Sequence, residues 1–139
     1  KNASKCSEVM IKFVDFIGNH NLVAHNAGFD KKFLDFELNN INLKYSGTFA
    51  CSMLIARRLY QDAPNHKLRS LVEFNNIPND GVFHRALADA EMTAKLWLKM
   101  LQVIKENYKV SNIPFSLMQQ LAYKPKSLTD DFLRKKTRV

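Results

Sequence analysis

Apolar residues recur at helical spacing in the first stretch of the chain. Val9, Met10, Phe13, Val14 and Ile17 share one face between Ser7 and Gly18. Ser7 is placed to cap this helix, and Gly18-Asn19 to end it in a left-handed turn. Asn21 to His25 is a short apolar run of strand length, expected to be buried on both faces. A second helix is predicted from about Gly28 to Asn39. Phe29, Phe33 and Phe36, flanked by Leu34 and Leu38, form its expected buried stripe, and Asn39-Asn40 breaks it. Thr48 to Cys51 reads as another buried strand, with Ser52 capping a helix through Leu59. Asn65 is placed to cap a further helix that turns Leu68, Leu71, Val72 and Phe74 inward.

The strongest periodicity lies between Arg85 and Asn107. Leu87, Ala90, Ala94, Trp97, Leu101 and Ile104 step by three and four. A short helix from Phe115 to Tyr123 follows, and Pro125 ends it. Helices alternating with two apolar strands predict an α/β domain with helices packed on a sheet. Two strands are few for a free-standing sheet of this kind.

Composition narrows the class. The chain has 139 residues, 46% of them hydrophobic, enough for one domain with a core that needs no disulfide staples. The two cysteines, Cys6 and Cys51, lack metal-binding spacing, and Cys51 closes an apolar run, so a buried free thiol is expected. This usage favours a reducing, cytoplasmic setting. No apolar run reaches the roughly 20 residues of a membrane span, so no membrane partner is expected. The net charge is +8, and half of it falls in residues 124–139, where six Lys/Arg face two Asp. A basic surface attracts polyanions, nucleic acid first. For the end of the chain alone, a solvated and partly disordered tail is the simpler expectation.

Three places carry candidate chemistry. His25-Asn26-Ala27-Gly28-Phe29-Asp30 lies where a strand ends and a helix begins, a position suited to meeting a ligand. Asn26 as a helix cap and Asp30 as a complement to the helix dipole explain the same residues without function. The second place is His84-Arg85-Ala86-Leu87-Ala88-Asp89-Ala90. A histidine can take a proton from water near neutral pH, and an aspartate can hold a divalent cation. A five-residue step turns about 500° on an ideal helix, so the two side chains diverge unless His84 precedes the helix. The alanines at 86, 88 and 90 clear space around the pair. The third is His66, expected in the first turn of its helix and given little weight.

Together, and in this order, these segments resemble the DEDDh 3′–5′ exonucleases, ribonuclease-H-like enzymes that include the proofreading epsilon subunit of bacterial DNA polymerase III. Asn21 to Asp30 is similar to their second motif, and His84 to Ala90 to their third. His66 to Leu71 resembles the helix between them, and the likeness covers about residues 8–105. The histidine five positions before Asp89 points to the histidine subfamily rather than the tyrosine one. The resemblance implies a ribonuclease-H-like fold with helices on a mixed sheet. It implies two-metal hydrolysis of the 3′-terminal phosphodiester, with two Mg²⁺ or Mn²⁺ ions. His84 would be the general base and Asp89 a direct metal ligand. Asp30 would serve the second metal, often through water. His25, Asn26 and Phe29 would hold the terminal nucleotide, Phe29 by stacking, although Phe29 also fits a core stripe.

The family's first motif, Asp-x-Glu on an opening strand, is not matched; Glu8 and Asp15 lie on the predicted first helix. The chain is therefore expected to be the carboxyl-terminal portion of an exonuclease domain (residues 1–108) followed by a short helix and basic extension (109–139). It is expected to lack the opening strands, to be weak in catalysis alone, and to self-associate through the uncovered sheet. The expected partners are nucleic acid 3′ ends, single-stranded DNA foremost, and a DNA polymerase subunit. An RNA-trimming exonuclease of the same superfamily and a non-catalytic nucleic-acid-binding or polymerase-associated module remain open alternatives.

Overall fold

The computed structural model describes residues 5–137. It is a helical domain built on a small parallel sheet, in the order α1 (Cys6–Ile17), β1 (Leu22–Ala24), α2 (Ala27–Asn39), β2 (Phe49–Cys51), α3 (Ser52–Leu59), α4 (Leu68–Phe74), α5 (Ala86–Tyr108), α6 (Phe115–Leu121) and α7 (Thr129–Thr137), with a 3-10 turn at Lys126–Leu128. β1 and β2 pair in parallel, with Val23 opposite Ala50. A parallel pair needs a crossover, and α2 supplies it. Among the described residues no helix is long and apolar enough to cross a membrane.

The element types follow the hydrophobic pattern, but several expected faces and caps do not. α2 buries Ala27, Leu34 and Leu38, whereas Phe29, Phe33 and Phe36 are 73%, 56% and 63% exposed. Leu34 and Phe36 are about 200° apart around a helix, so both stripes cannot meet one neighbour. The smaller stripe wins, packing with Met10 and Ile17 of α1. α1 also leaves Val9, Phe13 and Phe16 exposed, Phe16 at 84%. β1 is half-buried rather than covered on both faces. α5 buries Met92, Leu96, Met100 and Ile104; of the expected line Ile104 is in the core and Trp97 and Leu101 pack against it, while Leu87, Ala90 and Ala94 are exposed.

The expected caps are also displaced. Ser7 lies inside α1, which starts after Lys5. Ser52 is the first residue of α3 and fully buried, with its hydroxyl turned to other partners. The cap position of α4 is Lys67; Asn65 instead accepts the Lys67 amide at 3.0 Å in a turn before the helix. Gly18 does adopt a positive φ of 54° at the end of α1.

The chain as far as Thr137 is packed rather than loose, and the rest of the expected tail lies outside the described residues. Phe132 and Leu133 of α7 and Leu117, Met118 and Leu121 of α6 belong to the main core, with Leu96, Met100 and Ile104 of α5. The basic residues lie along the outer side of α7, where Arg134, Lys135 and Lys136 are exposed. Tyr108 donates to Asp130 at 2.7 Å, and Arg134 holds the other oxygen of that carboxylate at 2.8 Å, which ties the end of α5 to α7. Burial, and then the Asp130 carboxylate, push the Tyr108 hydroxyl up to about 12. The expectation of a disordered tail treated Lys and Arg as solvated and missed the few apolar residues that anchor one helix face.

Candidate active site

The end of β1, the first turn of α2 and the amino half of α5 surround an open cleft of about 730 Å³. Val23 and Ala24 form its floor, and Ala86, Ala90, Ala94 and Trp97 of α5 form one wall. Three residues of the helix stripe expected to be core, Ala90, Ala94 and Trp97, thus line this cleft. Small side chains at 86, 90 and 94 keep the wall low, as the alanine-rich motif suggested, while Ala88 lies off it.

Two carboxylates reach this space. Asp30 enters from the first turn of α2 and Asp89 from the first turn of α5, where helix dipoles favour negative charge. Burial raises the Asp30 carboxyl above its usual range, and its own backbone amide opposes that shift. A site that desolvates a carboxylate has a use for a cation nearby.

His84 lies before α5, as convergence with Asp89 required. Its backbone is left-handed, with φ at 66°, and its N–H donates to Asp89 Oδ1 at 3.1 Å. The carboxylate therefore pins the histidine loop. Upstream, Asn79 and Asp80 accept the amides of Gly81 and Val82 at 2.9 and 3.0 Å, and Gly81 turns with φ at 78°. The His84 side chain is exposed and outside the cleft wall. Asn26 occupies the cap position of α2, but in a left-handed conformation (φ 74°) and without a side-chain capping bond. Asparagine tolerates this backbone better than most side chains, which suits it to the turn between β1 and α2. Phe29 is exposed one residue before Asp30.

His25 lines the cleft, yet both ring nitrogens are engaged within the protein. Nδ1 lies 2.8 Å from Ser52 Oγ, and Nε2 lies 2.7 Å from the His66 carbonyl oxygen. His66 is not in a helix; its Nε2 lies 2.9 Å from the Tyr60 carbonyl oxygen. Burial lowers the pKa of His25, partly opposed by the bond to the His66 backbone. Ser52 and Trp97 are site residues the sequence did not single out, and His66 was named there only as a weak candidate. Ser52 and His66 read locally as cap and first-turn residues, and only the fold brings them to His25.

Divalent cations such as Mg²⁺ suit hard oxygen ligands, and Asp30 and Asp89 supply them. Among the described residues, however, no three His, Cys, Asp or Glu side chains converge into a metal-holding group. The donor set present fits part of a cation site rather than a complete one.

A DNA polymerase III PolC-type of Caldanaerobacter subterraneus subsp. tengcongensis is 38% identical over 106 residues, which cover 76% of this chain and 8% of the relative. The PolC-type of Latilactobacillus sakei is 37% identical over 113 residues, 80% of this chain and 8% of the relative. The DNA polymerase III subunit epsilon of Aquifex aeolicus is 27% identical over 106 residues, 76% of this chain and 52% of the relative. The chain thus spans less than a tenth of the PolC-type relatives and about half of the epsilon subunit. No solved structure matches. The model of the RNase_T family, described as exonuclease, matches residues 1–97, which include both carboxylates, His84 and the floor of the cleft. This chain belongs to the RNase_T exonuclease family.

Proposed function

We propose that the cleft is one side of a 3′–5′ exonuclease active site acting on DNA ends in proofreading or repair. The observation that carries this reading is the meeting of Asp30 and Asp89 in one cleft, with the His84 loop tied to Asp89. Asp89 would hold a divalent cation directly and Asp30 a second one through water. When bound, two such ions supply charge stabilisation for both the attacking and the leaving oxygen. His84, exposed on its strained loop, would accept the proton of the attacking water. Asn26 and the exposed Phe29, which lie between His25 and Asp30 in the chain but do not themselves line the cleft, would hold the terminal nucleotide, Phe29 by stacking on its base.

Two carboxylates are few for two cations, so this chain alone would bind metal weakly and hydrolyse slowly. The PolC-type and epsilon relatives support work beside a DNA polymerase. The exposed aromatic residues of α1 and α2 favour association with a second protein surface, the chain's own copy included.

The test combines Mn²⁺ with a 5′-labelled single-stranded oligodeoxynucleotide. Paramagnetic broadening should centre on Asp30 and Asp89, and any shortening should proceed from the 3′ end and vanish in Asp89→Asn. A ribo-oligonucleotide of the same length separates DNA from RNA preference. Broadening elsewhere, or cleavage in the interior of the strand, would sink the proposal. Tight metal binding with brisk hydrolysis would refute the argument from ligand number.

A further inference from the structure

The polar chain running through His25 goes beyond the substrate-binding role that its place in the motif suggests. His25 Nε2 faces a carbonyl oxygen, that of His66, at 2.7 Å. A carbonyl only accepts, so this nitrogen carries the ring's proton. In the neutral ring Nδ1 is then an acceptor, and the Ser52 hydroxyl donates to it at 2.8 Å. The Ala24 carbonyl, 3.3 Å from the same hydroxyl, is the longer alternative. Ser52 is fully buried at the start of α3. His66 is anchored in turn, its Nε2 donating to the Tyr60 carbonyl at 2.9 Å. The neutral form of His25 agrees with the burial that lowers its pKa.

Three separate segments meet here. β1 leads through His25 into Asn26 and the turn that carries Asp30. Ser52 opens α3. The connection from Tyr60 to Lys67 leads directly into Leu68, which lines the same cleft as Asp30. The three residues of β1 offer few ladder bonds to fix this junction, and residues 61–67 form no helix or strand. We infer that His25 is a positioning residue: its Nε2–H clamps the 61–67 connection to the end of β1 and so sets the separation of the Asp30 and Leu68 walls. A nucleotide in the cleft would meet only the carbon face of the ring. This inference concerns the shape of the cleft and stands whether or not the exonuclease reading holds.

Two substitutions separate the clamp from general stability. A glutamine amide reaches the position of Nε2 and keeps the donor to His66, whereas an asparagine reaches only the Nδ1 position beside Ser52. Hydrogen exchange of the 61–67 amides and the Leu68 methyl resonances are read in the free protein, with His25→Ala as reference. The expected result is at least a tenfold loss of protection in residues 61–67 for His25→Ala and His25→Asn. Leu68 methyl shifts should move in those two variants, with both effects reversed in His25→Gln. Labelled histidine should show a slowly exchanging Nε2 proton on His25. An oligothymidylate titration with Mn²⁺ should leave that proton in place. Equal protection in all three variants, or a ring that exchanges its Nε2 proton freely, would overturn the clamp. Loss of that signal on saturation with oligonucleotide would instead make His25 a direct ligand. Failure of the oligonucleotide to bind would count against the exonuclease reading alone, because the exchange and rescue data need no nucleotide.

Discussion

Leu133→Ala tests whether the end of the chain is part of the fold that holds the site. Leu133 is fully buried in α7, within the core that includes Leu96, Met100 and Ile104 of α5. Removing three buried carbons costs the lost transfer energy plus the cavity left behind, about 2–5 kcal/mol for Leu→Ala in a closed core. Alanine is the better helix former, so a loss cannot come from helix propensity. A domain of this size holds roughly 5–15 kcal/mol in total, so the variant should lose a large share of its stability. Its melting temperature should fall by roughly 10 °C. The assay is urea unfolding followed by circular dichroism, with Lys135→Ala as control on the exposed side of the same helix. That control should change stability by less than about 0.5 kcal/mol. A Leu133→Ala loss below about 1 kcal/mol would show α7 to be loosely attached and refute the shared core. The outcome bears on function, because α7 packs on α5, the helix that carries Asp89.

Four further outcomes are expected. Tyr60 is buried and its hydroxyl meets no hydrogen-bond partner among the described residues, so Tyr60→Phe should raise stability by about 1 kcal/mol in denaturant unfolding; a loss would mean the hydroxyl is satisfied. Asp89→Asn keeps an oxygen for the His84 amide whereas Asp89→Ala does not, so His84-loop amide exchange should rise only in Asp89→Ala, while Mn²⁺ broadening at the cleft should fall in both. Because burial lowers the pKa of His25 below 6.5, the unfolded chain binds more protons in that window. Stability from this group is complete above pH 6.5 and lost as pH falls through the folded value, so His25→Gln should show a flatter acid limb in unfolding curves from pH 7 to 5. Finally, the exposed Phe16, Phe29, Phe33 and Phe36 should drive concentration-dependent association in sedimentation velocity, reduced when Phe16 and Phe33 are changed to serine; a monomer at every concentration would dismiss that surface.

The sequence by itself determined where the helices and strands lie as far as α6, because periodicity and breakers act over a few residues; α7, in a stretch read as a basic tail, was not legible. It also placed His84 off the helix, since a five-residue step on a helix would drive it away from Asp89. Both motifs were legible as short spacings, and Asp30 and Asp89 do reach one cleft. What the sequence could not rank was which of two apolar stripes a helix would bury. On α2 the phenylalanines are the more hydrophobic stripe, yet Leu34 and Leu38 face α1 and the phenylalanines face outward. On α5 the expected core line split: Ala90, Ala94 and Trp97 line the cleft, while Ile104 is buried in the core. The contacts of Ser52 and His66 with His25 were likewise invisible, since 27 and 41 residues separate those partners along the chain. Local pattern states that a face is apolar; which neighbour covers it, and which polar groups meet across it, depends on how distant elements pack, and only the tertiary structure decides that.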